Sequence, residues 1–319
     1  MRRPRTVLVF ALAGALSFAA CGRDDDPATD DRRPVIGVSK KEKEAAKDLG
    51  FPAFATKNTT RIGAADPVAT AAAAARATFP GGSKKNTASA VAIASTKDWR
   101  AAVAASVLVA SPVRAPVLLA DGARELPPAT QTAVDELDPS GAGQPGRTQA
   151  VLVGDVPKPA GLRTRELRGR TPFALARAVD AYVAAAKGRT SDRVLIVSAD
   201  DPAFAMPAAG WAAKSGDPVL FVRKKEVPAD TVAALRSHQQ PKIYVLGPSK
   251  VIGPEVTDRL RKLGTVTRLG GQDPVENAVE FSRFADGSFG WGVQDAGHGL
   301  VFARSDRTLD AVAAAPLSA

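Results

Sequence analysis

The chain has few of the residues from which catalytic and metal sites are usually built. Its 319 residues include one cysteine, Cys21, and two histidines, His238 and His298. A single cysteine excludes an intrachain disulfide, so exported domains of this chain must be stable through packing alone. Neither histidine has a Cys or Glu at ligand spacing, and each lies at a loop, where a lone imidazole is usually solvated. We therefore expect no metal site and no cofactor.

Signatures of catalysis are absent as well. The sequence has no Gly-x-Ser-x-Gly elbow for a hydrolase triad and no Gly-Lys-Ser/Thr phosphate loop. The Gly-rich segment 287–299 lacks dinucleotide-binding spacing and is predicted to be a flexible loop. Aromatic residues make up only 5% of the chain and hydrophobic residues 45%, so the cores must consist mainly of Ala, Val and Leu. These features favour a protein that is not an enzyme.

The N-terminus has the pattern of an export signal. Three arginines among the first five residues precede the apolar run Thr6–Ala20, which is shorter than the roughly 20 residues that span a bilayer. Small residues before Cys21 resemble a bacterial lipoprotein signal, which implies lipidation of that cysteine. We expect a signal peptide over 1–20, a charged linker over 21–58, and an extracytoplasmic chain anchored to the membrane by lipid. An ordinary secretory signal and an uncleaved anchor are the alternatives.

The body of the chain is basic. The formal net charge is +10 at pH 7. Three arginines of the leader account for +3 and the linker has basic and acidic residues in balance, so an excess of +7 lies beyond the linker. A basic exported surface concentrates polyanions, which at a cell surface are teichoic-type polymers, acidic polysaccharides or anionic lipid. Nucleic acid is not an expected partner, because the basic residues are not interleaved with aromatics and export removes the chain from the genome. A charge that serves only solubility is the alternative.

The sequence repeats at intervals of about one hundred residues, too long for a solenoid unit and suited to one small α/β domain. Three short motifs ending in glycine each close an extended run, and each precedes a proline that begins an apolar helical pattern. The motifs are Arg61-Ile62-Gly63, Leu167-Arg168-Gly169 and Arg268-Leu269-Gly270, and the prolines are Pro67, Pro172 and Pro274. The segment Ala115–Leu119 also returns, as Asp217–Phe221.

Within each repeat, short apolar runs alternate with Ala-rich helical patterns. Strands of this kind imply a mostly parallel sheet that helices cover on both faces. The fold class is therefore α/β, with tandem Rossmann-like three-layer units. A third repeat begins and is predicted to have a strand at Leu300–Ala303, but it stops halfway, which would leave an open sheet edge. We expect truncation of a three-repeat protein; the alternative is that two repeats suffice. The expected domains are repeat 1 at 59–164, repeat 2 at 165–265 and a partial repeat 3 at 266–319.

The order of these motifs resembles the cell wall-binding repeat type 2 family of Gram-positive surface proteins. The resemblance covers about residues 59 to 319 and implies a compact, three-lobed arrangement of like α/β units that attaches noncovalently to anionic wall polymer. The segments that match the family pattern are Arg61–Asp66, Thr70-Ala71, Ile93-Ala94-Ser95, Ala115–Leu119 and Asp310–Ala319.

The chain departs from the family pattern at polar positions. Prolines and apolar residues replace the family's Arg-Tyr pair after each glycine motif. The Asp of the family's Asp-Ala-Leu sequence is present only as Asp310, while Ala101 and Phe204 occupy that position in the earlier repeats. If these polar residues contact ligand, the first two repeats bind differently or serve only as a scaffold.

Polar residues at predicted strand ends are the candidate ligand-binding residues, because open α/β sheets place ligands beyond the carboxyl ends of their strands. The alternative is that they are turn and cap residues. Carboxylates would also repel a polyanion unless a cation bridges them or nearby arginines dominate. The candidates are Ser95, Asp98, Asp200, Asp201, Ser305, Asp306 and Asp310.

Together these observations predict a cell wall-associated surface lipoprotein that holds anionic cell-wall polymer through tandem basic repeats. Each unit would bind weakly, and joined units would bind strongly through effective concentration. The alternative is a solute-binding lipoprotein that captures a small anion between two α/β lobes. An enzyme on this scaffold lacks a nucleophile and base pair. The sequence does not specify the polymer or the oligomeric state.

Overall fold

Two four-stranded parallel sheets form the framework of the computed structural model. The structure describes residues 53–55, 60–62, 66–83, 86–122, 124–294 and 300–318. The predicted signal peptide, the lipidation site Cys21 and His298 lie outside the described residues.

The two sheets have the same strand order. Strands β4-β3-β5-β6 form the first sheet and β8-β7-β9-β10 the second, and all neighbours within each sheet are parallel. A short antiparallel pair, β1 and β2, precedes them. The strands of the described chain are β1 (Ala53–Ala55), β2 (Thr60–Ile62), β3 (Val91–Ser95), β4 (Val117–Ala120), β5 (Ala150–Val153), β6 (Thr164–Leu167), β7 (Arg193–Ser198), β8 (Val219–Val222), β9 (Lys242–Leu246) and β10 (Thr265–Leu269).

The registers of the sheets also correspond. In each sheet the central residue of the repeat's first strand lies between equivalent residues of the second and third strands, and all of these side chains are buried. The matching neighbours are Leu118, Ile93 and Leu152 in the first sheet and Leu220, Ile196 and Val245 in the second. The shared order and register confirm the prediction of repeated α/β units. The exact domain boundaries stay predictions.

Helices cover both sheets, and they occur at corresponding places in the repeats. None of the described helices combines the length and apolar character needed to cross a membrane. The α-helices are α1 (Pro67–Thr78), α2 (Trp99–Ala105), α3 (Pro128–Leu137), α4 (Pro172–Lys187), α5 (Pro202–Ser215), α6 (Ala229–Ser237), α7 (Pro254–Leu260), α8 (Pro274–Arg283) and α9 (Thr308–Ala314); short 3-10 helices span Ser106–Val109, Pro145–Arg147 and Ala315–Ser318.

The repeated prolines begin α1, α4 and α8, as predicted. Proline suits the first position of a helix because no hydrogen-bond partner is needed there. The residue before each proline caps the helix through a side-chain oxygen, which accepts a hydrogen bond from a free amide of the first turn. Asp66 accepts from Ala69 N at 2.9 Å, and Thr171 accepts from Ala174 N at 3.1 Å. Asp273 does the same for α8.

The repeated glycine lets the first helix of the next repeat approach the end of the preceding sheet. A Cβ atom at Gly169 would overlap the backbone nitrogen of Leu175 in α4. At Gly270, where φ is +118°, it would overlap the amide oxygen of Asn277 in α8. The glycine of the motif is therefore a packing requirement at both junctions.

The helices of the three repeats pack in a closed ring. Helix α2 contacts α4, α5 contacts α8, and α9 contacts α1, so the second helix of each repeat packs on the first helix of the next, and the third repeat returns to the first. Helices α2, α5 and α9 also contact one another. The family resemblance implied three like α/β units; the described residues have two such units, and the third repeat contributes helices to the ring.

The few aromatic residues are concentrated where the second and third repeats meet. Trp211 of α5 lies 4.9 Å from Phe289 and 6.2 Å from Phe281, measured between ring centroids. Tyr244 of β9 stacks on Phe289 at 3.4 Å. The first sheet has the expected core of Ala, Val, Ile and Leu, whereas this junction is aromatic.

The strand predicted at Leu300–Ala303 is absent, and that prediction is wrong. The segment has no regular secondary structure, and Phe302 is 89% exposed. The corresponding residues of the first two repeats, Ile93 and Ile196, are completely buried between neighbouring strands. No strand of the described chain pairs with the segment, so its backbone has no partner with which to form a ladder.

Candidate functional site

A cleft of about 240 Å³ lies at the carboxyl end of the first sheet. The turn after β3 forms one side, and the N-terminal ends of α1 and α9 form the others. The cleft therefore lies where the third repeat meets the first. Its lining residues are Pro67, Thr96, Lys97, Trp99, Asp306, Arg307, Thr308, Leu309 and Asp310.

Two predicted residues shape the turn on the first-repeat side. Ser95 is the buried last residue of β3, and its hydroxyl accepts a hydrogen bond from Lys97 N at 3.1 Å. The Asp98 carboxylate accepts a hydrogen bond from Arg100 N at 3.0 Å and caps α2. Ser95 and Asp98 thus act as turn and cap residues that place Lys97 and Trp99 at the cleft.

Two further predicted residues lie on the third-repeat side, and each is paired with an arginine. Both guanidinium arms of Arg304 donate to Asp306, at 2.9 and 2.6 Å. This hydrogen bonding lowers the pKa of Asp306 and raises the pKa of Arg304. Arg307 Nη2 donates to Asp310 at 3.1 Å. Both carboxylates are therefore hydrogen-bonded beside a cation.

The cleft has nearly balanced charge. Asp306 and Asp310 are offset by their arginines, while the exposed Lys97 ammonium has no ion-pair partner among the described residues. One amide in the first turn of each of α1 and α2, that of Ala69 and that of Arg100, already donates to a capping carboxylate, so neither amide is free for an anion. The cleft can therefore hold a polar or anionic group through Lys97 and the Trp99 ring, and its lining residues provide no nucleophile and base pair.

Asp200 and Asp201 lie at the corresponding end of the second sheet. Asp200 is exposed and lies 3.8 Å from Arg223 Nη1, whose guanidinium also covers the Phe173 ring at 5.3 Å. Asp201 lies beside the Ser198 hydroxyl at 3.4 Å, directly before α5. These carboxylates are not in the cleft.

The first repeat reaches this second site through Arg100. Its Nε donates to the Ala199 carbonyl at 2.6 Å, and its guanidinium lies 4.8 Å from the centroid of the Trp99 ring. Trp99 in turn meets Phe221 edge-on at 5.9 Å. One helix end, that of α2, therefore contributes to both the cleft and the junction with the second repeat.

The structure thus places some of the predicted site residues in the cleft and others outside it. Asp306 and Asp310 line the cleft, Asp98 adjoins it, Ser95 lies buried behind it, and Ser305 is exposed in the turn before α9. Their roles as ligand contacts stay predictions. Sequence reasoning missed the cationic and aromatic contributors, Lys97, Trp99 and Arg307, although each flanks a residue that it selected.

The prediction for His238 is wrong. Its side chain is completely buried, with Nε2 2.8 Å from Asp180 Oδ2 and Nδ1 2.8 Å from the Ser191 carbonyl. Burial opposes protonation, but the hydrogen bond to Asp180 and its negative charge outweigh burial, so the pKa of His238 is raised. Within the described chain, no three His, Cys, Asp or Glu side chains are grouped so as to hold a metal ion.

The fold is similar to that of two solved structures from Clostridium difficile. Cwp6 has a TM-score of 0.62 at 17% sequence identity, and the match covers 81% of this chain and 39% of Cwp6. Cwp8 has a TM-score of 0.61 at 20% identity, with 80% and 42% covered. The chain therefore spans about two fifths of the length of each. No family model matches the sequence, and no curated protein is detectably similar to it.

Cwp6 and Cwp8 are cell wall proteins with cell wall-binding type 2 repeats. The likeness extends over both parallel sheets and the helices around them, because four fifths of this chain is covered. Together with the shared strand order of the two sheets, it shows that the chain has the α/β repeat fold of these two structures.

Proposed function

We propose that the chain is a non-catalytic, cell wall-associated surface protein that binds anionic wall polymer noncovalently. The observation that carries the proposal is the repeat fold that the chain shares with two cell wall proteins. Its basic composition supports the same conclusion, since +7 of the formal net charge of +10 lies beyond the leader and the linker. Lipidation at Cys21 would add a membrane tether to this attachment.

Binding would depend on many weak contacts. Exposed arginines and lysines lie on both repeats, and each contributes little in water because its charge is screened. A long polymer can engage several of them at once, so that the second and later contacts form within one complex. The ring of helices supports this mechanism, because it holds the repeats in fixed positions and lowers the entropy lost on binding.

Pull-down on isolated cell walls across a salt series tests the proposal. The purified chain, without its leader, is expected to cosediment with walls at about 50 mM salt and to be released as salt rises toward about 500 mM, because the Debye length falls well below 10 Å. A chain of matched size and acidic composition is the control. Absence of binding, or binding that does not respond to salt, would contradict the proposal.

Capture of one small anion is the rival function, and the cleft does not favour it. Its volume of about 240 Å³ lies below the roughly 300–1,000 Å³ of typical small-molecule sites. Its two carboxylates are each paired with an arginine, which leaves Lys97 as its one cation without an ion-pair partner among the described residues. A thermal-shift screen against small anions distinguishes the two functions, since only a solute-binding protein predicts a large increase in Tm with one small ligand.

The lipid tether is tested separately. Expression of the full chain in a bacterium with lipoprotein processing should give a membrane-bound form that incorporates radiolabelled fatty acid, and Cys21→Ser should abolish both properties. Wall binding by the purified body should be unchanged in this variant, because Cys21 precedes the repeats. A labelled Cys21→Ser protein would show that the lipid is attached elsewhere.

A further inference from the structure

Three exposed arginines lie together at the edge of the first sheet. Arg163 directly precedes the edge strand β6, and Arg165 lies within it. Residues two apart on a strand face the same side and are about 7 Å apart. Arg147 belongs to the loop before β5, and its carbonyl accepts a hydrogen bond from Arg163 Nε at 3.0 Å. This bond joins the loop to the strand and places the Arg147 backbone beside Arg163 at the edge of the sheet.

The loop that contains Arg147 is rigidly built. Gln144 is only 6% exposed, and its amide donates to the Val113 carbonyl at 2.9 Å. Gln149 Nε2 donates to the Pro139 carbonyl at 2.8 Å and closes the base of the loop. A Cβ atom at Gly141 would overlap the Arg147 carbonyl, so the loop folds closely on itself. Arg147 is therefore held in place before any ligand arrives.

The three guanidinium groups are not used in the fold as ion pairs. None of them has a carboxylate partner among the described residues, whereas other surface arginines of the chain do, including Arg168 with Glu166. The cluster is also specific to the first repeat. Thr265 and Thr267 occupy the positions of Arg163 and Arg165 at the edge of the second sheet.

The second repeat also lacks the inserted loop. A short turn at His238–Pro241 stands where the first repeat has 139–147. The two sheets otherwise share their order and register, so the loop and the arginines are additions to a common scaffold. Three arginines without carboxylate partners, one on a preorganised loop and two at the adjacent edge strand, have the character of an anion-binding surface.

We propose that Arg147, Arg163 and Arg165 form a binding site for the phosphate or carboxylate groups of a linear polyanion. Guanidinium groups match the paired oxygens of either group through bidentate hydrogen bonds, which lysine does not reproduce. Charges spaced about 7 Å apart along a strand suit successive groups of a polymer rather than one small ion. The inference rests on the proposed function and assigns it to one surface.

The test compares two triple variants of the full body. R147Q/R163Q/R165Q removes the cluster, and R236Q/R259Q/K262Q removes the same charge from exposed residues of the second repeat that also have no ion pair among the described residues. Both are first checked by circular dichroism and thermal unfolding. Fluorescence anisotropy then measures binding to labelled inorganic polyphosphate and to labelled polygalacturonate at several salt concentrations, together with cosedimentation with cell walls.

The cluster variant is expected to bind at least about tenfold more weakly than the control variant, with the slope of log K against log salt reduced by about two. If the cluster variant loses affinity for polyphosphate alone, the ligand group is phosphate. If it loses affinity for polygalacturonate alone, the ligand group is carboxylate. R147K/R163K/R165K should recover only part of the affinity, because it restores charge without the bidentate geometry.

Equal binding of the two triple variants to every probe and to walls would overturn the inference and leave the proposed function intact. If the unmodified body bound neither the polymers nor walls, both the inference and the proposed function would fail. If the unmodified body bound walls but neither polymer, cosedimentation with walls would be the deciding measurement. Loss of wall binding by the cluster variant would then support the site, and wall binding equal to that of the control variant would overturn it.

Discussion

His238 and Asp180 form a buried pair in the second repeat, with 2.8 Å between Nε2 and Oδ2. Asp180 lies on α4, and His238 directly follows α6, so the pair joins the two helices that cover one face of the second sheet. The Ser191 carbonyl holds the other ring nitrogen at 2.8 Å. Both ring nitrogens are satisfied when the imidazole is protonated, because each then donates one hydrogen bond.

This pair predicts a specific pH dependence of stability. The pKa of His238 is raised in the folded chain, so its contribution is complete below the unfolded value of about 6.5 and is lost as pH rises through the folded value. His238→Gln should lower the free energy of unfolding by about 2 kcal/mol near pH 6. The difference in the free energy of unfolding between this variant and wild type should become smaller as the pH is raised further. Urea denaturation at a series of pH values measures it.

Asp180→Asn is the matched control. It removes the charge that favours imidazolium, so burial should then dominate and the pH dependence from His238 should weaken or reverse in sign. A constant difference between His238→Gln and wild type across the whole pH series would contradict the assignment. The two variants together separate the charge of the pair from its packing.

Sequence reasoning identified the repeat because its signals are local. A proline after a capping side chain begins α1, α4 and α8, and apolar runs without alternation mark buried parallel strands. The strand at 300–303 was predicted by the same rule, and there it failed. Apolar side chains favour a strand only when neighbouring strands complete the ladder, and none of the described strands lies beside Phe302.

Helix α5 shows a second limit of sequence reasoning. Proline usually stands at the start of a helix, but α5 begins at Pro202 and continues through Pro207. An internal proline usually costs about 3 kcal/mol in an isolated helix. Here α5 is central to the ring and buries Phe204, Trp211 and most of its alanines, so tertiary packing outweighs local preference.

The candidate site was predictable only in part. Asp98 and Asp306 were selected because turn and cap chemistry after a strand is visible in sequence, and Asp310 was selected because it matches the family's Asp-Ala-Leu pattern. Neither signal could show that the third repeat folds back on the first, since the contact of α9 with α1 joins residues far apart in the chain. The cleft forms only because of that contact, so the place of Lys97 and Arg307 in the candidate site is visible only in the structure.

The glycine of the repeat motif should be sensitive to the smallest substitution. Gly169→Ala would place a methyl group against the backbone of α4, which cannot move without displacing the helix. We expect the free energy of unfolding to fall by about 3 kcal/mol, which is at the upper end of the cost of overpacking a core. Gly161→Ala is the control, since its Cβ would meet open space although φ is +74°, and should cost about 1 kcal/mol. Equal losses in chemical denaturation would show that the close approach is unimportant.

Trp211 should be the most costly aromatic residue to truncate. It is 3% exposed, contacts three other rings, and donates Nε1–H to Asp217 Oδ2 at 3.0 Å. Trp211→Ala should lower the free energy of unfolding by about 4 kcal/mol, since it leaves a large cavity. Trp211→Phe retains a ring and should cost about 2 kcal/mol, mainly through the hydrogen bond lost to a buried carboxylate. If Trp211→Phe were as unstable as Trp211→Ala, the assignment of separate costs to the cavity and to the lost hydrogen bond would be wrong.

The cleft carboxylates are expected to weaken, rather than support, the binding of a polyanion. Asp306 and Asp310 lie beside Lys97, and each reduces the positive potential that this cation and their own arginine partners would otherwise produce. Asp306→Asn/Asp310→Asn should therefore raise affinity for polyphosphate several-fold at low salt, and the gain should disappear near 1 M salt, where the Debye length is about 3 Å.

Asp135→Asn/Asp258→Asn removes the same charge from exposed helix positions outside the cleft and should have a smaller effect. If the two carboxylates instead contact the ligand directly, through a bridging cation, the cleft variant would bind more weakly than the control, and added chelator would reduce wild-type binding to the same level. The sign of the change in affinity thus decides whether these aspartates contact the ligand or only reduce the positive potential of the cleft.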